Sequence, residues 1–234
     1  MKGNNTYELC KTIADKQADE QEKLEAARSL QKMGKDAKDA VPALIKIIEE
    51  EETELAAEAA TALGFIGSDA QDSIPSLIKI LQRPDKDKNI DGFAFTTDVL
   101  IKSNTMIALS EMGKIAVSAL IPLLYNEDIH IRIALILARI GSAGHEATPY
   151  FLDLLVEENN KEKRFLWAIT LAHIGIKNKI FPLSRYSKED LAIEEEAVQI
   201  LVTIGREDFP PAVDDLKNLG DYLCKLVGCL QATQ

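Results

Sequence analysis

Residues 56–81 read AAEAATALGFIGSDAQDSIPSLIKIL, and the spacing within this stretch decides the fold. Ala60, Leu63 and Ile66 stand seven, four and one residues before Gly67. Those offsets share one face of a helix, and a glycine just past the last periodic residue stops it. Eight residues beyond Gly67, Pro75 opens a second apolar run. Proline suits the first turn of a helix, where its missing N–H is not needed. The stretch therefore reads helix, short turn, helix.

The same spacing recurs on both sides. With Gly34, Gly67, Gly113, Gly141, Gly175 and Gly205 as anchors, the fourth residue before each is a leucine: Leu30, Leu63, Leu109, Leu137, Leu171 and Leu201. The residue just before each anchor is Met33, Ile66, Met112, Ile140, Ile174 or Ile204, and the seventh before is Ala27, Ala60, Met106, Ala134, Ala168 or Val198. The anchors are 33, 46, 28, 34 and 30 residues apart, spacings suited to stacked helical pairs. Pro42 and Pro149 repeat the role of Pro75, opening VPALIKIIEE and TPYFLDLLVE. The third unit has VSALIPLLYN after a turn three residues shorter, and Pro122 inside that run predicts a kink or a late start. The fifth unit, NKIFPLSRYS, leaves little room for a second helix, and the sixth resumes with FPPAVDDLKNLGDYLCKLVGCL. No alternating run bounded by hairpin turns competes, so the predicted class is all-α.

With these columns in view, AAEAATALGFIGSDAQDSIPSLIKIL resembles the HEAT-like repeat of bacterial α-solenoids, the type also found in phycobilisome lyase subunits. The resemblance spans residues 20–220 and implies an α-α superhelix of about six helical pairs with terminal cap helices. One helical pair cannot hide its apolar stripe alone, so each leans on the next. The chain then forms a single repeat domain over 1–234. Its parts are an N-terminal cap helix at 1–19, repeats 1–2 at 20–82, and an insertion loop with the start of repeat 3 at 83–103. Repeats 3–6 follow at 104–220, and a C-terminal cap at 221–234. Phe93 and Phe95 in the insertion either begin the first helix of the third unit or belong to a functional loop. Repeats of this class often carry an Asp and an Arg near the head of the first helix. Only Asp128 and Arg132 fit that pattern, which predicts thin stitching between repeats.

Charge narrows the functions. The 234 residues carry 27 Lys and Arg against 38 Asp and Glu, a net charge of −11. Residues 1–120 hold 15 basic and 21 acidic groups, and residues 121–234 hold 12 and 17, so neither half is basic. Nucleic-acid binding depends on Lys and Arg displacing counterions, and no nucleic-acid partner is expected. HEAT-like folds include an alkyl-purine DNA glycosylase with a basic concave face, which this composition does not resemble. No membrane partner is expected either, since no apolar run reaches membrane-spanning length. The opening MKGNNTYELCKTIADKQ has no apolar stretch like that of a secretory signal, and the expectation is a soluble, cytoplasmic protein.

Catalytic and metal chemistry find little support. Cys10, Cys224 and Cys229 form no disulfide framework and read as buried or idle thiols. His145-Glu146 is similar to the His-Glu pairs of deoxyhypusine hydroxylase, a HEAT-repeat iron enzyme that needs several such pairs, but it stands alone and in a turn. His173 reads as an outward-facing polar residue of a first helix. Neither a catalytic residue, a metal site nor a cofactor is expected. The acidic runs at Glu49–Glu52 with Glu54, and at Glu194–Glu196, fall at helix ends, where solvated carboxylates are favourable.

The expected function is a non-enzymatic scaffold that binds another protein or peptide segment along the concave face implied by the resemblance. The alternative is a bilin lyase-type enzyme subunit, or a chaperone for a chromophore protein. Counting the second helices from Pro42, Pro75, Ser118 and Pro149, positions +2, +3 and +6 are apolar throughout and point to the core. Positions +1, +4 and +7 form the opposite stripe: Ala43, Lys46, Glu49; Ser76, Lys79, Gln82; Ala119, Pro122, Tyr125; and Tyr150, Asp153, Val156. Tyrosine buries area while keeping a polar tip, so it suits an interface. The candidate partner-binding residues are Tyr125, Tyr150, Asp153 and Val156, with Lys46 and Lys79 attracting an acidic end of the partner. Alternatively, the two tyrosines pack under the 83–103 loop or the fifth unit.

The repeat alignment makes a stability prediction. Truncating Leu137 to Ala removes core contacts in mid-array and costs about 2–5 kcal/mol. Glu51→Ala, at a turn, leaves the melting temperature nearly unchanged. Equal shifts for the two variants in thermal denaturation refute the alignment.

Overall fold

The computed structural model describes residues 2–84 and 96–160, and beyond these Lys163, Leu166, Trp167, Thr170, Leu171 and Ile174; the side chains of residues 2–4, 152 and 155–157 are outside the description. Nine α-helices have defined bounds among the described residues, and no strand occurs there. They are α1 (Lys2–Ala14), α2 (Glu20–Met33), α3 (Val41–Glu50), α4 (Glu54–Ile66), α5 (Ile74–Leu81), α6 (Thr97–Met112), α7 (Lys114–Leu120), α8 (His130–Ile140) and α9 (Thr148–Glu157). Contacts divide the chain into residues 1–140 and 141–234.

In the first unit the architecture is an α-α solenoid. Its first helices pack in series, α2 on α4, α4 on α6 and α6 on α8, while α3, α5 and α7 form the second row. Helix α1 lies against α2 and the turn that follows it, burying Thr6 and Ile13. The anchor glycines explain the regularity. Gly34, Gly67, Gly113 and Gly141 have φ of +52°, +71°, +64° and +67°. This region is costly for any residue with a Cβ, so each first helix ends where its glycine stands. After Gly34 and Gly67 the chain runs through matching 3-10 turns, Gly34–Ala40 and Gly67–Ser73, with Ala37 and Ala70 buried inside them. Pro42 and Pro75 then sit in the first turns of α3 and α5. In the third unit the shorter turn lets α7 start directly after Gly113. Past Leu120 the α-helix tightens into a 3-10 segment, Ile121–Tyr125, with Pro122 in its first turn, so the proline marks a change of winding.

The core follows the columns. Ala27, Leu30, Ala60, Leu63, Leu109, Ala134 and Leu137 are fully buried. On the second helices one detail differs from expectation. Leu44, Ile48, Leu77 and Leu81 are buried as positions +2 and +6 require, but at +3 Ile45 and Ile78 are half-buried. In α3 and α5 position +5 is the buried one instead, at Ile47 and Ile80. The seam of these helices is thus rotated toward their own first turn, where Val41 and Ile74 are also buried.

The second unit has its own core. The 3-10 turn Gly141–Ala147 leads into α9, whose first turn holds Pro149. Phe151 meets Trp167 at 5.8 Å between ring centroids, tilted by 51°. Leu171 and Ile174, the residues four and one before Gly175, are buried. The side chain of Asn160 accepts the Lys163 backbone N–H at 3.0 Å, a helix-start contact. Expectations for Phe93, Phe95, His173, Glu194–Glu196, Cys224, Cys229, the sixth repeat and the cap at 221–234 lie outside the described residues. Helix α6 itself begins at Thr97, with the Thr96 side chain accepting from the Val99 N–H.

Among the described helices, α4 has the most buried residues. Ala56, Ala57, Ala59, Ala60 and Ala62 are all buried, and their small side chains let α6 approach closely. The contact is tightest at Gly64, where a Cβ would stand 2.7 Å from the Ala108 Cα. Alanine is favoured over glycine in a helix by about 1 kcal/mol. Here the clash is with backbone, which cannot turn aside, and overpacking of this kind costs about 1–3 kcal/mol. Gly64→Ala is therefore predicted to lower the melting temperature, and Gly64→Val to lower it further. A stabilised Gly64→Ala protein in thermal denaturation contradicts the close approach.

Candidate functional site

The stripe at +1, +4 and +7 of the second helices faces water in the first unit. Lys46, Glu49, Lys79 and Gln82 are exposed, whereas Ala43 and Ser76 are half-buried. The α3 and α5 parts of the stripe are joined side by side. The Ser76 hydroxyl donates to Glu49 Oε1 at 2.6 Å, and the Arg83 guanidinium donates to the Ile48 carbonyl at 3.2 Å. Lys46 and Lys79 therefore hold the same position on adjacent helices. Tyr125, the last residue of the 3-10 segment after α7, is 55% exposed. In the second unit Tyr150 is 37% exposed and Asp153 is exposed, both on α9. The side chain of Val156 lies outside the described residues.

The glutamates in the first turns of α4 do more than meet solvent. Arg28 on α2 donates to Glu58 at 2.8 Å and to Glu54 at 3.1 Å. Its guanidinium is held above its ordinary pKa by the hydrogen bond and charge of Glu58, then by Glu54 and Glu25. Gln31 on α2 donates to both the side chain and the carbonyl of Glu58. Further along, the Asn104 amide on α6 donates to the Ala57 carbonyl on α4, and Arg139 on α8 pairs with Glu111 on α6 at 3.2 Å. Stitching between repeats is therefore not thin; it uses residues other than an Asp and an Arg at each helix head. The Arg132 guanidinium donates to the Asp128 carbonyl of its own turn, at 3.5 Å. Exposed pairs of this sort add little energy singly, but each is specific to one neighbour and so fixes the stacking register.

His145 is exposed, with Nδ1 3.2 Å from the Ser142 carbonyl in its own turn. Among the described residues no group of His, Cys, Asp and Glu is arranged to hold a metal ion. Among them too, no single helix is long and apolar enough to cross a membrane. Sequence reasoning missed a second surface feature, a shallow groove between α6 and α8. Ser103, Met106 and Ile107 line it from α6, and Leu135, Ile136 and Arg139 from α8. Its signal was present six residues before each anchor, where the polar Arg28 and Thr61 give way to Ile107 and Leu135.

Comparison with known proteins agrees with this architecture. Residues 8–90, about a third of the chain, match the family model of HEAT repeats. The chain is similar to the archaeal HEAT-like repeats protein from Thermococcus onnurineus NA1, with 17% identity and a TM-score of 0.55 over 95% of this chain and 88% of that one. It is also similar to a designed armadillo repeat protein in complex with the peptide (KR)4, with 16% identity and a TM-score of 0.51 over 93% and 97% of the two chains. No curated protein matches the sequence. Likeness at these identities is likeness of fold, and the fold is that of a repeat solenoid.

Cys10 on α1 is half-buried, and burial together with the nearby Asp39 pushes its thiol pKa up. Only the thiolate is nucleophilic, so a raised pKa slows the thiol at neutral pH. In a Cys224→Ser/Cys229→Ser background, Cys10 is predicted to alkylate more slowly than a free thiol and to gain rate only at more alkaline pH. Asp39→Asn should speed it by removing a neighbouring negative charge. Cys10 reacting as fast as free cysteine at neutral pH would contradict this.

Proposed function

We propose that the chain is a non-enzymatic scaffold that binds a segment of another protein on its second-helix face. The observation that carries this reading is Tyr125, 55% exposed on a stripe whose α3 and α5 parts are small, charged and suited to water. An exposed tyrosine offers a large apolar ring to a partner at little entropic cost. On the first unit the contact surface is Lys46, Lys79 and Tyr125. Tyr150 and Asp153 on α9 of the second unit are further candidate contacts, in the sequence stripe that also holds Val156 and within the single repeat domain that the sequence columns describe. The two lysines share one helical position and attract an acidic end of the partner segment, an attraction that salt screens. The likeness to a designed armadillo repeat protein held in complex with a peptide supports a peptide-like ligand for a stack of this kind.

The test is capture of partners from lysate of the source organism by the wild-type chain and by a Tyr125→Ala/Tyr150→Ala variant. Loss of at least one specific partner with unchanged melting temperature is expected. In a Lys46→Glu/Lys79→Glu variant the same partner should bind more weakly, with a smaller dependence on salt. A double tyrosine variant that keeps every partner refutes the assignment.

A further inference from the structure

The outward face of the first helices changes character along the first unit. Six residues before the anchors, Arg28 is bound to glutamates of α4, and the Thr61 hydroxyl is bound to the Ala57 carbonyl. The next two residues in that column, Ile107 and Leu135, are apolar, and they are 37% and 46% exposed. Ile131, one turn before Leu135 on α8, is 48% exposed. These side chains border or line the α6–α8 groove, whose volume is about 280 Å³. At its C-terminal end stand Glu111 and Arg139, 3.2 Å apart, with about half of each side chain exposed.

We propose that this face is where a second copy of the chain docks, related by a two-fold axis through the groove. Charge is the first argument. The chain as a whole carries −11 and repels its copies, but this end of the groove presents one carboxylate and one guanidinium as a matched pair. A two-fold interface requires one patch to complement itself. Rotation about an axis between α6 and α8 and parallel to them sets Arg139 of one copy against Glu111 of the other, and the reverse, while Ile107 of each copy meets Leu135 of the other. A partner of strong net charge would oppose one member of the pair with like charge. Glu127 and Asp128, in the turn ahead of α8, are exposed, so water and salt screen them.

Area is the second argument. Helix α6 has 16 residues and α8 has 11, so they run roughly 24 and 16 Å. With neighbouring helices spaced at about 10 Å, and with α4 beside them carrying Phe65 at 58% exposure, the face offers roughly 500–600 Å² per copy. Two copies bury about 1,000–1,200 Å², the lower end of what a specific association needs. The dimer is therefore weak, forming at micromolar concentrations or above.

Sedimentation of the full chain across a range of micromolar concentrations tests this. The wild type should move from the mass of one chain toward two as concentration rises. Leu135→Asp should remain at one chain with an unchanged melting temperature. Arg139→Glu and Glu111→Arg should each weaken association by about tenfold, since each sets like charges face to face. The double exchange should restore association, because opposite charges face one another again. Helical circular dichroism of each variant separates a lost interface from a lost fold. The proposal is overturned by a wild type that stays at one chain throughout, by a Leu135→Asp variant that still associates, or by a double exchange no better than the single ones. A Leu135→Asp variant that melts well below the wild type overturns it too, because the face is then covered within one chain.

Discussion

The backbones of α4 and α6 run so close together that a Cβ on Gly64 would stand 2.7 Å from the Cα of Ala108, and the rest of the first unit is arranged around that approach. Only a helix rich in alanine and glycine can come so near a neighbour, and α4 has five buried alanines as well as Gly64. Its short side chains leave little room for compensation, since interiors are packed as tightly as organic crystals. The larger groups that complete the core come from the flanks: Leu30, Leu44, Ile48, Leu77, Leu109 and Leu137. Small residues at the centre and large ones around it make the stack specific, because a shift of one position along α4 would place a leucine where only glycine fits.

That specificity is reinforced at the surface by polar contacts that each span one repeat. Arg28 and Gln31 with Glu58, Ser76 with Glu49, Asn104 with the Ala57 carbonyl, and Arg139 with Glu111 all link a residue to one some 27 to 47 positions away. None is buried deeply enough to contribute much energy alone. Their common effect is on register, since sliding one repeat against the next would break them together. The carboxylates of Glu49–Glu54 take part in this, and Glu54, in the first turn of α4, also lies where the helix dipole favours negative charge.

The two faces of the first unit differ for the same physical reason. A repeat stack buries one side of every helix, so the opposite sides of both rows are left to solvent and are free to vary. On the second row those positions read Lys46, Lys79 and Tyr125, and on the first row Arg28, Thr61, Ile107 and Leu135. Stability tolerates either polar or apolar groups there, within the limits of solubility. Variation from one repeat to the next at such positions is where a solenoid acquires its individual surfaces.

The chain's repeat architecture was legible from sequence because it rests on local rules. A glycine with positive φ ends a helix, a proline opens one, and apolar residues three and four apart share a face; the four described anchors at φ of +52° to +71° follow those rules. The exposed stripe on the second helices followed from the same periodicity. Tertiary structure decided what periodicity cannot reach. Which flank of the buried stripe is deepest, Ile47 rather than Ile45, depends on how α3 is rotated against its neighbours. Which carboxylate Arg28 chooses depends on the distance across the α2–α4 seam. Whether Ile107 and Leu135 meet solvent depends on α6 and α8 leaving a groove between them. Helical periodicity is a property of each segment taken singly, whereas burial, partner choice and grooves are properties of pairs of segments, and those arise only once the helices are packed.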